Sequence, residues 1–109
     1  MAYTTIDDPS AHFQVATWTG NGADRSIVSD GNSDLQPDFV ILKTRGVTGS
    51  FMVQNSTRGV TKYLRTHLSG SEQTASSIVQ AFQTDGFSLS ASGGNNQNGE
   101  TNVAWQWKA

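Results

Sequence analysis

Apolar residues in this chain recur at alternate positions in short stretches, and turn-forming glycine and asparagine separate those stretches. A period of two belongs to strands with one covered face, so the pattern argues against a helical bundle. His12 to Trp18 alternates, with Phe13 and Val15 on one face. It stops at Gly20-Asn21-Gly22, where tight turns find residues that accept positive φ. Ser50 to Gln54 alternates after a turn at Gly46 to Gly49, with Phe51 and Val53 together. Thr61 to Arg65 follows the Arg58-Gly59 turn. Phe87, Leu89 and Ala91 alternate with Ser88, Ser90 and Ser92, and Val103, Trp105 and Trp107 share a face near the end of the chain. Asp38 to Lys43 differs, because Phe39-Val40-Ile41-Leu42 is unbroken, as expected of a central strand covered on both faces. Ala75, Val79 and Phe82 fall at helical spacing among Ser and Thr residues that weaken a helix, so residues 74–82 are a strand or one short helical turn. Gly93 to Gly99 reads as a long hairpin loop. Seven or eight short strands make the expected fold all-β, an antiparallel β-sandwich or jelly roll. Residues 1–109 form a single domain, with 1–10 an N-terminal arm or an edge strand.

Composition narrows the chemistry. Ser, Thr, Asn and Gln make up 40 of 109 residues, and only 15 % are charged. The 35 % hydrophobic content is enough for a modest core, which argues against disorder. With no cysteine there is no disulfide, thiol nucleophile or thiolate metal site. The longest apolar run, Phe39 to Leu42, is far short of the ~20 residues that span a bilayer, and no basic-then-apolar leader opens the chain. No membrane partner is expected. The formal net charge of −2 hides a segregation: residues 1–38 carry −5, residues 39–71 carry +5 and the remainder −2. Either acidic loops and basic strands neutralise each other within the fold, or the acidic face of one copy meets the basic face of the next. A net-acidic protein is a poor polyanion binder, so no nucleic acid is expected.

Sites for catalysis or metal find little support. Asp30-Gly31-Asn32-Ser33-Asp34 opens like a calcium loop, but Leu35 and Ile41 stand where such a loop needs its Gly and its bidentate Glu. The EF-hand reading fails, and turn-closing Asp and Asn explain the segment, with a looser site through Asp24 or Asp38 as the alternative. His12 and His67 have no metal-ligand spacing, so no metal or other cofactor is expected. No G-x-S-x-G elbow accompanies the 13 serines, and both Glu residues, Glu72 and Glu100, lie in loops, so the chain reads as non-enzymatic. Asn55-Ser56-Thr57 matches a glycosylation acceptor by chance. Trp18, Trp105, Trp107, Tyr3 and Tyr63 are the rings able to stack on sugars or bases. Trp105 and Trp107 are assigned to the core, and Trp18, beside a Gly-Asn turn, fits either core or rim.

Two segments, Thr17-Trp18-Thr19-Gly20-Asn21-Gly22 and Gln36-Pro37-Asp38-Phe39-Val40-Ile41-Leu42-Lys43-Thr44-Arg45, resemble a domain recurrent in virion proteins of tailed bacteriophages. Arg58-Gly59-Val60-Thr61-Lys62-Tyr63-Leu64, Phe82 with Asp85-Gly86-Phe87-Ser88-Leu89, and Val103-Ala104-Trp105-Gln106-Trp107-Lys108-Ala109 extend the likeness in order over nearly the whole chain. That family is similar to concanavalin-A-like jelly rolls. Two departures stand out. Ile41 precedes Leu42-Lys43 where the family tends to have Trp before Ile-Lys, and Asn55-Ser56-Thr57 precedes Arg58-Gly59 where it tends to have Asp-Ser. The resemblance implies a virion structural protein on the particle exterior, made in the host cytoplasm. Because the domain fills the chain from Met1 to its last strand, a capsid decoration (cement) protein is expected rather than a tail fibre. The alternative is a lectin-like, receptor- or carbohydrate-binding tail tip. Implied partners are the major capsid protein and copies of the chain itself, a homotrimer among the arrangements, or a host surface glycan. Candidate binding residues, for a glycan or a protein, are Trp18, Asn21, Arg45, Arg58, Lys62, Asn95 and Asn96.

Overall fold

A computed structural model describes residues 7–46, 51–66, 68–75, 78–91 and 94–109. Tyr3, His67 and most of the expected N-terminal arm lie outside the described residues. Nine strands run in the order β1 (Phe13–Thr19), β2 (Arg25–Ile27), β3 (Phe39–Thr44), β4 (Met52–Asn55), β5 (Lys62–Arg65), β6 (Gln73–Thr74), β7 (Val79–Gln83), β8 (Gly86–Leu89) and β9 (Thr101–Trp107). A six-stranded sheet has the order β1-β9-β3-β4-β5-β6, and a three-stranded sheet has the order β2-β8-β7. Every pairing is antiparallel. The fold is a β-sandwich, as the alternation implies.

Three expectations are corrected. The described part of residues 74–82 holds no helical turn: β6 ends at Thr74 and β7 begins at Val79, with a bulge between Val79 and Ala81. Single 3-10 turns occur instead at Pro9–Ala11, capped by the Asp8 side chain, and at Gly94–Asn96. The Gly94 to Gly99 segment is not a hairpin loop, because it carries the chain from β8 in the small sheet to β9 in the large one. β3 is central, but it is covered on one face only: Val40, Leu42 and Thr44 are buried while Phe39, Ile41 and Lys43 are half-exposed.

The core forms where the small sheet covers the inner face of the large one. Phe87, Leu89, Val79 and Ile27 pack against Ala16, Trp18, Val40, Leu42 and Ala104. Apolar contact of this kind contributes roughly 25 cal/mol per Å² removed from water. Two glycines permit the closest backbone approaches. At Gly86, where φ is +104°, a Cβ would stand 1.9 Å from the Ile27 carbonyl oxygen, so only Gly lets β8 pass β2 there. At Gly20 a Cβ would stand 2.1 Å from the Gln97 carbonyl oxygen, which explains why β1 ends on that residue.

Candidate interaction surface

Strand register assigns every side chain of the large sheet to a face. Phe13, Trp107, Phe39 and Asn55 stand opposite one another across β1, β9, β3 and β4. Val15, Trp105, Ile41, Val53 and Leu64 form the next row on the same face, and Thr17, Val103 and Lys43 the row after that. These rows look outward. The inward rows are Gln14, Gln106, Val40 and Gln54, then Ala16, Ala104, Leu42 and Met52, then Trp18, Asn102 and Thr44. Gln54, Gln106 and Asn102 are fully buried. The large sheet therefore carries amides on its covered side and most of its aromatic rings on its open side.

The open side is a continuous apolar surface. Phe13, Val15 and Trp107 retain 39 %, 43 % and 37 % of their exposure. The rings hold one another in place: Phe13 and Trp107 have centroids 5.0 Å apart, Phe39 and Trp107 5.3 Å, and Phe51 and Trp105 6.4 Å. Interplanar angles of 49° and 60° around Trp107 mark tilted and edge-on packing rather than a flat platform. Ile41, Phe51, Thr66, Trp105 and Trp107 line an open groove of about 570 Å³. The Lys43 ammonium lies 5.8 Å from the Phe51 ring centroid at its margin. A smaller groove of about 240 Å³ at the far end of the sheet is bordered by Thr17, Thr19, Thr101 and Arg45. Strongly apolar continuous surface on a folded domain marks a contact site, since single scattered apolar residues are the ordinary case.

The residues nominated from sequence fall into two groups, both engaged inside the fold. Trp18 is buried in the core, its ring 5.8 Å edge-on from Phe87, and its indole N–H donates to the Asn95 carbonyl at 3.0 Å. Asn95 and Asn96 are buried. The Asn96 amide donates to the Ala23 carbonyl at 2.6 Å and accepts from the Asn21 N–H at 3.3 Å. The Asn95 amide donates to Thr44 Oγ1 at 3.4 Å. This network fastens the 94–97 segment to the turn after β1, so Trp18, Asn95 and Asn96 serve the scaffold. Arg58 forms an ion pair with Glu72 at 3.3 Å, and Lys62 donates to Thr74 Oγ1 at 2.8 Å. These two cations tie β5 and its preceding turn to β6 and its approach. Arg45 alone of the seven borders an outward groove, and its exposed side chain leaves the end of β3.

Trp105 and Trp107 are not core residues, which corrects their sequence assignment. Period two correctly places them on one face with Val103, but it does not say which face is covered. The available signal was the interleaved set: Asn102, Ala104 and Gln106 alternate just as regularly, as do Gln14, Ala16 and Trp18. The small sheet leaves a narrow gap, and small or flexible side chains fill it better than a second layer of indoles.

Among the described residues no three His, Cys, Asp or Glu side chains gather as metal ligands. The Asp24 carboxylate accepts the Ala91 N–H at 2.7 Å, and Asp38 accepts the Ala109 N–H at 2.9 Å. Asn55 Oδ1 accepts the Arg58 N–H at 2.8 Å, closing the turn after β4. Asp8 accepts from Ser10 Oγ at 2.6 Å, from Ser33 Oγ and from the Ser10 N–H at 3.0 Å. Those hydrogen bonds, the Ser10 hydroxyl first, hold its carboxyl below the usual 3.8. No described helix is long and apolar enough to cross a membrane.

Fold and surface together define an antiparallel β-sandwich with a one-sided aromatic contact face. Residues 8–109 match the family described as a domain of unknown function (DUF7483), and the chain belongs to that family. None of the curated proteins and none of the solved structures matches it.

Proposed function

We propose that this protein is a non-catalytic structural component of a tailed-bacteriophage virion, a decoration protein that binds the outer shell through surface contact. The observation that carries the reading is the inverted large sheet, whose open face holds Phe13, Trp107, Phe39, Trp105 and Ile41 in register. A sheet that leaves its rings outside gives up apolar burial within one copy, and contact with another surface recovers it. The ordered resemblance of its segments to virion domains supplies the setting. A shell offers many identical sites, so weak contacts repeated with its symmetry become lasting ones.

Co-sedimentation with purified virions and with empty shells tests the reading. Saturation at hundreds of copies per particle, weakened at least tenfold by Trp107→Lys, is the expected result. A few copies confined to the tail, or glycan-array binding with no binding to shells, would move the function to a receptor-binding tip. Binding unaffected by Trp107→Lys would remove the aromatic face from the account.

A further inference from the structure

The occupant of the aromatic face is a second copy of the chain. We infer that two copies stack by their open faces about a twofold axis that crosses β3 at right angles; the inference rests on the same face as the proposed function. Charge placement selects this arrangement. β3 is flanked by Asp38 at the Phe39 end and by Arg45 at the other, and Lys43 also projects from the Arg45 end. Seven residues at ~3.3 Å each set Asp38 and Arg45 about 23 Å apart along the strand.

Two face-to-face twofold arrangements exist. An axis parallel to the strands would lay Lys43 over the partner's Lys43 and Arg45 over the partner's Arg45, and such like-charge contact is costly. An axis across the strands reverses their direction in the partner. Arg45 then meets the partner's Asp38 twice over, and Lys43 comes over the partner's Trp107 and Phe39 rings, where a cation is favoured. The row of threonines and valine in one copy faces the aromatic row of the other, so small side chains oppose large ones. The outward strand positions of the large sheet, β1 to β5, include no carboxylate at all, which leaves Asp38 at the rim as the acidic partner.

Area sets the strength. Four strands spaced at ~4.8 Å and about six residues long give on the order of 400 Å² in plan per copy. Two copies together reach the lower bound of specific interfaces, roughly 1,000 Å², once side-chain relief is included. A dimer that forms at micromolar rather than nanomolar concentration follows.

Because the chain has no cysteine, crosslinking reads the geometry directly. Asp38→Cys and Arg45→Cys proteins are mixed and joined with a short bis-maleimide, beside each variant alone. The mixed product, which links position 38 of one copy to position 45 of the other, should exceed either self-linked product at least tenfold. Sedimentation velocity from 1 to 500 µM should show wild-type dimer, lost in Trp107→Lys while its circular dichroism is unchanged. A chain monomeric at 500 µM, a trimer, or dominant self-linking of the Arg45→Cys protein would overturn the inference. Shell binding by a monomer would keep the proposed function and reject the pair; a dimer that ignores shells would do the reverse.

Discussion

The buried amides of the large sheet make one chemical change act with opposite signs at two positions. Gln54 and Gln106 both point inward and both are fully buried. The Gln54 amide donates to the Val60 carbonyl and accepts the Val79 N–H at 3.4 Å, so it joins β4 to its following turn and to the opposite sheet. Gln106 donates at 3.5 Å to Ser29 Oγ, the outer limit of a hydrogen bond, and its Oε1 has no partner among the described residues. Methionine nearly matches glutamine in volume and flexibility, so Gln→Met tests the hydrogen bonds with little change in packing.

At Gln54 the substitution strands a buried Val79 N–H and the Val60 carbonyl, each at about 1–3 kcal/mol, offset in part by the gain of burying an apolar side chain. A net loss of about 2 kcal/mol is expected. At Gln106 it removes an unsatisfied acceptor and forfeits one marginal bond, for a net gain of about 1 kcal/mol. For a chain of this size 1 kcal/mol corresponds to roughly 4–8 °C in melting temperature. Thermal unfolding followed by circular dichroism, with urea denaturation as the independent measure, should place Gln106→Met above wild type and Gln54→Met well below it. Equal losses at both positions would show that the Gln106 carbonyl is satisfied and that the interior reads both amides alike, which would refute the distinction.

Two further outcomes follow from particular contacts. Because Asp8 is held below its usual carboxylate range in the folded state, its contribution is present above about pH 4 and is lost as pH falls through the lowered value; Asp8→Asn should flatten the acid limb of an unfolding-versus-pH series, and an unchanged limb would count against the Ser10–Ser33 tie. Trp18→Ala should cost about 3–5 kcal/mol through the cavity left beside Phe87, whereas Trp107→Ala at the open face should cost under about 1 kcal/mol in the monomer; equal costs in urea titrations would deny the assignment of inner and outer faces.

The sandwich was legible in the sequence because alternation and turn residues are local properties. Gly22, with φ at +67°, stands where the Gly20-Asn21-Gly22 turn was placed, and β1, β3, β5, β8 and β9 fall within a residue or two of their alternating segments. β2 and β6 were not legible: three residues and two residues carry no measurable period, and only partners distant in sequence make them strands. The site was harder to read for a different reason. Alternation divides a strand into two sets, and choosing the covered set needs knowledge of what lies above it. Hydrophobicity chose Trp105 and Trp107; the tertiary fold chose Ala104 and Gln106.

That reversal has a physical logic. The inner face of the large sheet meets a sheet only three strands wide, so it is covered unevenly. Where the small sheet is closest, Ala16, Ala104 and Leu42 keep the layers near one another; toward the β1 start, amides bridge to loops, as when Gln14 bonds the Ser10 and Ser33 carbonyls at 2.8 Å each and accepts the Gly31 N–H at 2.9 Å. Long polar side chains there hold the 29–34 loop in place of a third layer of strands. Turning this sheet over, with indoles inside and amides outside, would crowd the alanine row with two tryptophans and release the loop from Gln14. Stability of the single copy therefore fixes which face is inside, and the aromatic face is left open as its consequence. An assembly that covers the open face needs no change in the fold, only a surface of matching relief.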